Sequence, residues 1–282
     1  MTSTYQSSGG QGETMCSKPD CVSVCRVGAP IEHLPDEILH EIMHLVMVSP
    51  CYLESKSPWN WLAVSQVCRY WRQLSLASPQ LWRHIDINIC WIPILLRQVL
   101  ERSQNMSLQL HFKGPIWRDD IETLAWMAAQ QSSRIEDLVI EDFHSTHAKM
   151  IIDNFASNPA PLLRRLKLTT VFDGTSHIRI FDYEMPALRS IYLYGLTMPW
   201  CSYRNMTELE IHRQPSLTAS LLMATLHLSP ELRLLALTLN GPLVRDIGPA
   251  SPDFRRTPIE LPHLQDLFLA SSVHEDVYYI LS

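Results

Sequence analysis

A chain of 282 residues, 46% of them hydrophobic, can bury a sizeable core as one large domain or two smaller ones. Its formal net charge of −6 and pI near 6.0 argue against a nucleic-acid partner or an anionic membrane surface. No run of about 18 apolar residues occurs, so no transmembrane helix is expected.

Residues 1–29 hold many small polar residues and no sustained hydrophobic period, which predicts a disordered tail. The opening residues lack the basic and apolar regions of a secretory signal. Seven cysteines, odd in number and irregular in spacing, predict free thiols in a reducing compartment inside the cell, cytoplasm or nucleus. Cys16, Cys21 and Cys25 cluster, but their gaps of four and three residues, with His33 as the nearest further ligand, do not suit a structural zinc site. No metal and no cofactor is expected.

Residues 30–48 predict a helix. Pro35 suits its first position, where a missing N–H costs nothing. Asp36 and Glu37 then occupy the first turn, where the helix dipole favours negative charge. Ile38, Ile42, Leu45 and Val46, with Leu39 and Met43 beside them, make one broad apolar stripe. His40, Glu41 and His44 fall on the other side, which predicts a solvated polar face. Residues 49–57 read as a connector. Ser57 and Pro58 can start a second helix carrying Trp59, Leu62, Val67, Trp71 and Leu74, with a break near residues 65–68. Ser78, Pro79, Leu81 and Trp82 make a turn that leads into a strand-like tail ending at Asp86.

Leu34-Pro35, Glu37-Ile38-Leu39, Val67-Cys68-Arg69, Trp71-Arg72, Ser78-Pro79 and Leu81-Trp82 occur in one order over residues 30–86. In order and spacing this set resembles the F-box, a small three-helix module. The resemblance implies binding to the linker subunit of a cullin–RING ubiquitin ligase, and indirectly to the cullin. By position it assigns that contact to Leu34, Pro35, Ile38, Leu39, Val67 and Trp71. Independently of the family, so small a helical piece cannot bury its whole stripe, and leftover apolar surface marks a partner site.

Residues 87–282 repeat the pattern apolar-x-x-apolar-x-apolar. Copies lie at Ile135/Leu138/Ile140, Leu163/Leu166/Leu168, Leu188/Ile191/Leu193, Met206/Leu209/Ile211, Leu232/Leu235/Leu237 and Leu264/Leu267/Leu269, with a weaker one at Leu108/Leu110. Helical stretches between them can be capped by Asp119 or Asp120, by Ser145 and by Ser216. One such unit cannot bury its apolar face alone, whereas a stack can. The array resembles degenerate leucine-rich repeats, although only Asn240 fills the family's Asn/Cys position. The same elements also suit an ordinary α/β domain with six parallel strands. The expected fold is therefore α plus α/β: a three-helix F-box followed by an irregular leucine-rich-repeat-like solenoid. Either residues 277–281 cap it, or the chain is incomplete at that end. Side chains alternate along strands, so Arg165, Lys167, Tyr192, Tyr194, Glu208 and Glu210 should share the concave face, a basic strip flanked by acidic ones with two tyrosines between. A target protein is expected there.

His40-Glu41-Ile42-Met43-His44 also spells H-E-x-x-H, the zinc-protease helix in which two His bind the metal and Glu activates water. No third ligand follows in the expected place, since Pro50 and Cys51 stand near it. No phosphate-cradling glycine loop and no G-x-S-x-G elbow occurs either. The reading is a non-catalytic adaptor, a substrate receptor for ubiquitination. The alternatives are an F-box scaffold acting outside a ligase and, in another class, the metalloprotease.

Overall fold

A computed structural model describes residues 34–48, 60–88, 91–114, 120–170, 178–196, 203–214, 218–239 and 259–271, with 273 and 280. The predicted tail, the connector, Asp119, Ser216, Asn240 and the clustered Cys16, Cys21 and Cys25 lie outside them.

The first helix, α1 (Asp36–Val48), starts where the Pro35 carbonyl accepts from the Ile38 and Leu39 amides at 3.1 Å. Proline thus stands just before the first turn and loses no helical bond. A 3-10 helix (Asn60–Gln66) follows, then α2 (Arg69–Ala77). The two are separated at Val67 and Cys68, within the predicted break. Cys68 is the N-cap of α2, its Sγ accepting from the Trp71 amide at 3.5 Å. It is a free, exposed thiol, and no other cysteine lies among the described residues. A second 3-10 turn (Pro79–Trp82) sends the buried Leu81 and Trp82 into the core. There Trp82 Nε1 donates to the Ser75 carbonyl at 3.0 Å.

The inward face of α1 differs from the expected one. Leu39, Met43 and Met47, four residues apart, are the buried side chains, while Ile38 and Leu45 point out at 48% and 57% exposure. The helix carries two apolar stripes, and α2 and the 3-10 turns cover only one. His40 and His44 flank the buried stripe instead of opposing it. Both are half-buried rather than solvated.

The strands are β1 (His84–Ile87), β2 (Leu108–Lys113), β3 (Ile135–Phe143), β4 (Arg165–Thr170), β5 (Ser190–Tyr194), β6 (Glu208–Gln214), β7 (Leu234–Leu239) and β8 (Asp266–Ser271). They form one parallel sheet in simple sequence order, β1 to β8. Parallel neighbours need crossovers. Helices α3 (Pro93–Arg102), α4 (Asp120–Ala129), α5 (Ser145–Asn154) and α6 (Ala219–His227) supply four of them. Because the strand order never reverses, crossovers of one hand pack on one side of the sheet. The strands accordingly alternate: along β2, Leu108, Leu110 and Phe112 are buried while Gln109 and His111 are half-exposed. Ser145 opens α5 as its first residue. The N-cap is His144, with no side-chain capping bond, so the predicted serine cap is not formed. At α6 the N-cap is Thr218.

The repeat is visible in the backbone. Ahead of four strands the same turn recurs, with the amides of Leu163, Leu188, Leu232 and Leu264 bonding the carbonyls of Ala160, Met185, Ser229 and Leu261 at 3.1–3.2 Å. One residue on, a rung of amides crosses the sheet, from Arg164 to Glu136, Arg189 to Arg164, Thr207 to Arg189, Arg233 to Thr207 and Gln265 to Arg233, at 2.7–2.8 Å. In the five copies from Ile135 to Leu237 every template position is 3% exposed or less. The copy on β8 differs: Leu267 is 48% exposed at the edge of the described sheet.

Candidate functional site

Two faces carry the residue types expected of sites. The first is the outer side of the helical module. Of the six residues singled out there, Pro35, Ile38 and Val67 are exposed, Val67 at 60%. Leu34 is half-buried against the core. Leu39 and Trp71 lie inside, at 0% and 6%, so their side chains build the module and are not available to a partner. Sequence reasoning missed Leu45, Tyr70 and Leu76, each more than a third exposed. The spacing of Ile38 and Leu45, seven residues or two helical turns, was the available signal. The Tyr70 hydroxyl donates to the Asp36 carboxylate, tying the start of α2 to the start of α1. Ile38 lies two residues after Asp36, and Val67 three residues before Tyr70. The Asp36 carboxylate, through this bond, holds the Tyr70 phenol above its ordinary pKa, so Tyr70 stays a donor.

The H-E-x-x-H residues sit at the joint between module and sheet. His40 Nε2 meets the Ser78 hydroxyl at the end of α2. The His44 ring lies 6.3 Å from that of His84 on β1. Burial, then Arg83 and His44, lower the pKa of His84 and favour its neutral form. Glu41 points to solvent. Among the described residues no group of three His, Cys, Asp or Glu is placed to hold a metal ion. His40 thus contacts the end of α2 and His44 a ring on β1.

The second face is the side of the sheet opposite the buried leucine layer. Register places all six predicted residues on it: Arg165 opposite Ser190 and Glu208, Lys167 opposite Tyr192 and Glu210, and Tyr194 opposite His212. The basic strip is neutralised within the sheet. Arg165 Nε donates to the buried Asp137 at 2.9 Å, and Lys167 Nζ bonds Glu141 at 2.9 Å. Glu141 also meets His111 Nε2 at 2.9 Å, while His111 Nδ1 faces Asp86 at 3.3 Å. Burial pushes the His111 imidazole down in pKa, but Asp86 and Glu141 outweigh it, and the net shift is upward. Burial raises Glu141, and Lys167 and His111 overcome this, so its carboxyl is held low.

Aromatic rings continue the row. Lys167 Nζ lies 5.5 Å from the Tyr192 ring, Tyr192 is 5.4 Å from His212, and the Arg213 guanidinium stands 5.0 Å over Tyr194. Arg213 reaches that position because β6 bulges there, with φ 58° at Arg213 and a register shift before Gln214. A similar bulge at Asp142, φ 63°, shifts the end of β3. It brings the Asp142 carbonyl so close to Gly114 that a Cβ there would stand 2.2 Å away. Burial and Glu210 raise the Tyr192 phenol, which therefore stays protonated as a donor. His111 and Asp86 were not foreseen. They come from the weakest repeat and from the tail of the module.

No helix among the described residues is long and apolar enough to cross a membrane. No curated protein and no solved structure matches the chain. A family match covers residues 31–88, the span that holds the helical module and β1, and its description is F-box-like. Residues 31–88 are thus an F-box-like domain, and its strand β1 is also the first strand of the parallel sheet.

Proposed function

We propose that the chain is a substrate-receptor adaptor of a cullin–RING ubiquitin ligase working inside the cell. The F-box-like domain binds the linker subunit, and through it the cullin, while the open sheet face, leucine-rich-repeat-like in build, holds a target protein. The observation that carries this is the second apolar stripe of α1: Ile38 and Leu45, and Val67 just ahead of α2, stay exposed on a module whose other stripe is fully packed. The adaptor supplies no chemical group. It raises the concentration of target beside the charged conjugating enzyme, an effect of proximity.

The test is a pull-down of purified linker subunit by full-length chain. Ile38→Asp with Val67→Asp should abolish capture while the thermal unfolding midpoint stays near wild type, because both side chains are already in water. Retained capture in that folded variant would sink the reading. Trp71 is the wrong residue for this purpose, since its removal opens the core. For the open face, Tyr192→Ala with Tyr194→Ala should reduce target capture and leave linker binding intact. Charge reversal at Arg165 is avoided, because it would strand the buried Asp137 carboxylate.

A further inference from the structure

The open face is electrostatically divided. On β1 to β4 the acids have basic partners: Asp86 and Glu141 share His111, Glu141 also holds Lys167, and Asp137 holds Arg165. On β6 to β8 the pattern changes. Register sets two rows side by side, Glu208–Leu234–Asp266 and Glu210–Ala236–Phe268. Among the described residues no Lys or Arg forms an ion pair with Glu208, Glu210 or Asp266. Among the described residues Glu208 accepts the Ser190 hydroxyl at 2.7 Å and attracts Arg165 from two strands away without forming an ion pair, and Glu210 lies 3.8 Å from His212. Phe268 is 56% exposed within the grid. Adjacent strands are about 4.8 Å apart, so the carboxylates on β6 and β8 stand about 10 Å apart across an apolar floor.

We infer that this grid takes a basic segment of the recruited protein, an extended stretch with arginine or lysine on either side of an apolar residue. The inference rests on the open face being the recruiting surface. Among the described residues these three carboxylates form no ion pair with Lys or Arg, and the negative charge left on the grid complements two cationic heads. The apolar stems of arginine and lysine cover Leu234 and Ala236 while their heads reach the carboxylates. A guanidinium over the Phe268 ring adds a cation–π contact. A like-charged acidic segment is repelled, so the same grid gives selectivity as well as attraction.

The experiment uses full-length chain and two labelled dodecapeptides, one alternating arginine and leucine, the other with glutamate for every arginine, read by fluorescence anisotropy. The arginine peptide should bind at least about tenfold more tightly than the glutamate peptide. Glu208→Gln, Glu210→Gln and Asp266→Asn together should weaken it by about tenfold, whereas Glu37→Gln, Glu41→Gln and Glu122→Gln, exposed on helices, should not. Equal binding of the two peptides, or equal losses in the two triple variants, overturns the inference. Target capture separates the two levels. Loss in Tyr192→Ala/Tyr194→Ala with no loss of peptide in the sheet-acid variant keeps the recruiting face and discards the basic class. No effect of either variant on capture or peptide discards both.

Discussion

The helical module and the sheet treat the same residue types in opposite ways. In the sheet, apolar side chains at the template positions of five successive repeats disappear from water, and what remains outside is polar, aromatic and largely paired. In the module, α1 has apolar residues on both sides and partners for one, so Ile38 and Leu45 remain exposed. The lesson is one of size and connectivity. A stack buries each unit against the next, whereas a small helical module has too little surface to cover a second stripe. The two regions are thus left with different surfaces, an apolar one on the module and a charged one on the sheet.

The comparison breaks most sharply at Phe155. Its ring sits edge-on between Phe112, at 6.3 Å, and Phe181, at 5.5 Å, beneath the sheet. Phe155→Ala should cost about 3–5 kcal/mol in urea unfolding. A loss below 1 kcal/mol, well short of that expected range, would mean that the repeat layer is not the core described here. Arg134 comes next. From the turn before β3 it reaches back to the Leu100 and Met106 carbonyls, at 3.3 and 3.1 Å, and to the Ser103 hydroxyl at 2.9 Å, closing the C-terminal end of α3. Arg134→Met removes the donor to the Met106 carbonyl, while the Leu100 carbonyl keeps the Ser103 hydroxyl at 2.8 Å, and should cost about 1–3 kcal/mol.

The His111 cluster sharpens the sheet side of the contrast through pH. The folded pKa of His111 is raised, so its stabilising contribution is full below the ordinary histidine pKa and is lost as pH climbs through the raised value. Glu141 works in reverse: its contribution is present above the ordinary carboxylate range and is lost as pH falls through the lowered value. The stability gap between wild type and His111→Gln should therefore narrow from about pH 6 to about pH 9, followed by urea midpoints. A gap that widens over that range would contradict the assignment. The smallest expected stability effect belongs to the module: Ile38→Ala should stay within about 0.5 kcal/mol of wild type while weakening linker capture. A loss as large as that of Phe155→Ala would place Ile38 in the core and erase the contrast.

Much of the sheet was legible in the amino-acid order because strand period and repeat period are local. The alternation at Leu138, Leu166, Ile191, Leu209 and Leu235 names the buried face, and the residues between them name the open one. The strand β1 is legible as a strand-like tail, but His84–Ile87 is too short to show the template and so to reveal that it opens the sheet. The helix α3 lies outside the repeat template, and its signal is local: Pro93 at the first position and apolar Leu96 and Val99 one turn on.

What the sequence determined by itself is what depends on neighbours along the chain: the F-box motif set, the break before α2, the period of the strands and the identity of the open-face residues. The tertiary structure alone decided which stripe of α1 turns inward, because both are apolar and only the placement of α2 and the 3-10 turns chooses between them. It alone made His40 and His44 packing residues of a joint. It also decided that Arg165 and Lys167 pair with Asp137 and Glu141 while, among the described residues, Glu208, Glu210 and Asp266 form no ion pair with Lys or Arg, since those pairings join residues far apart in sequence and exist only once the register of the parallel strands has set them side by side.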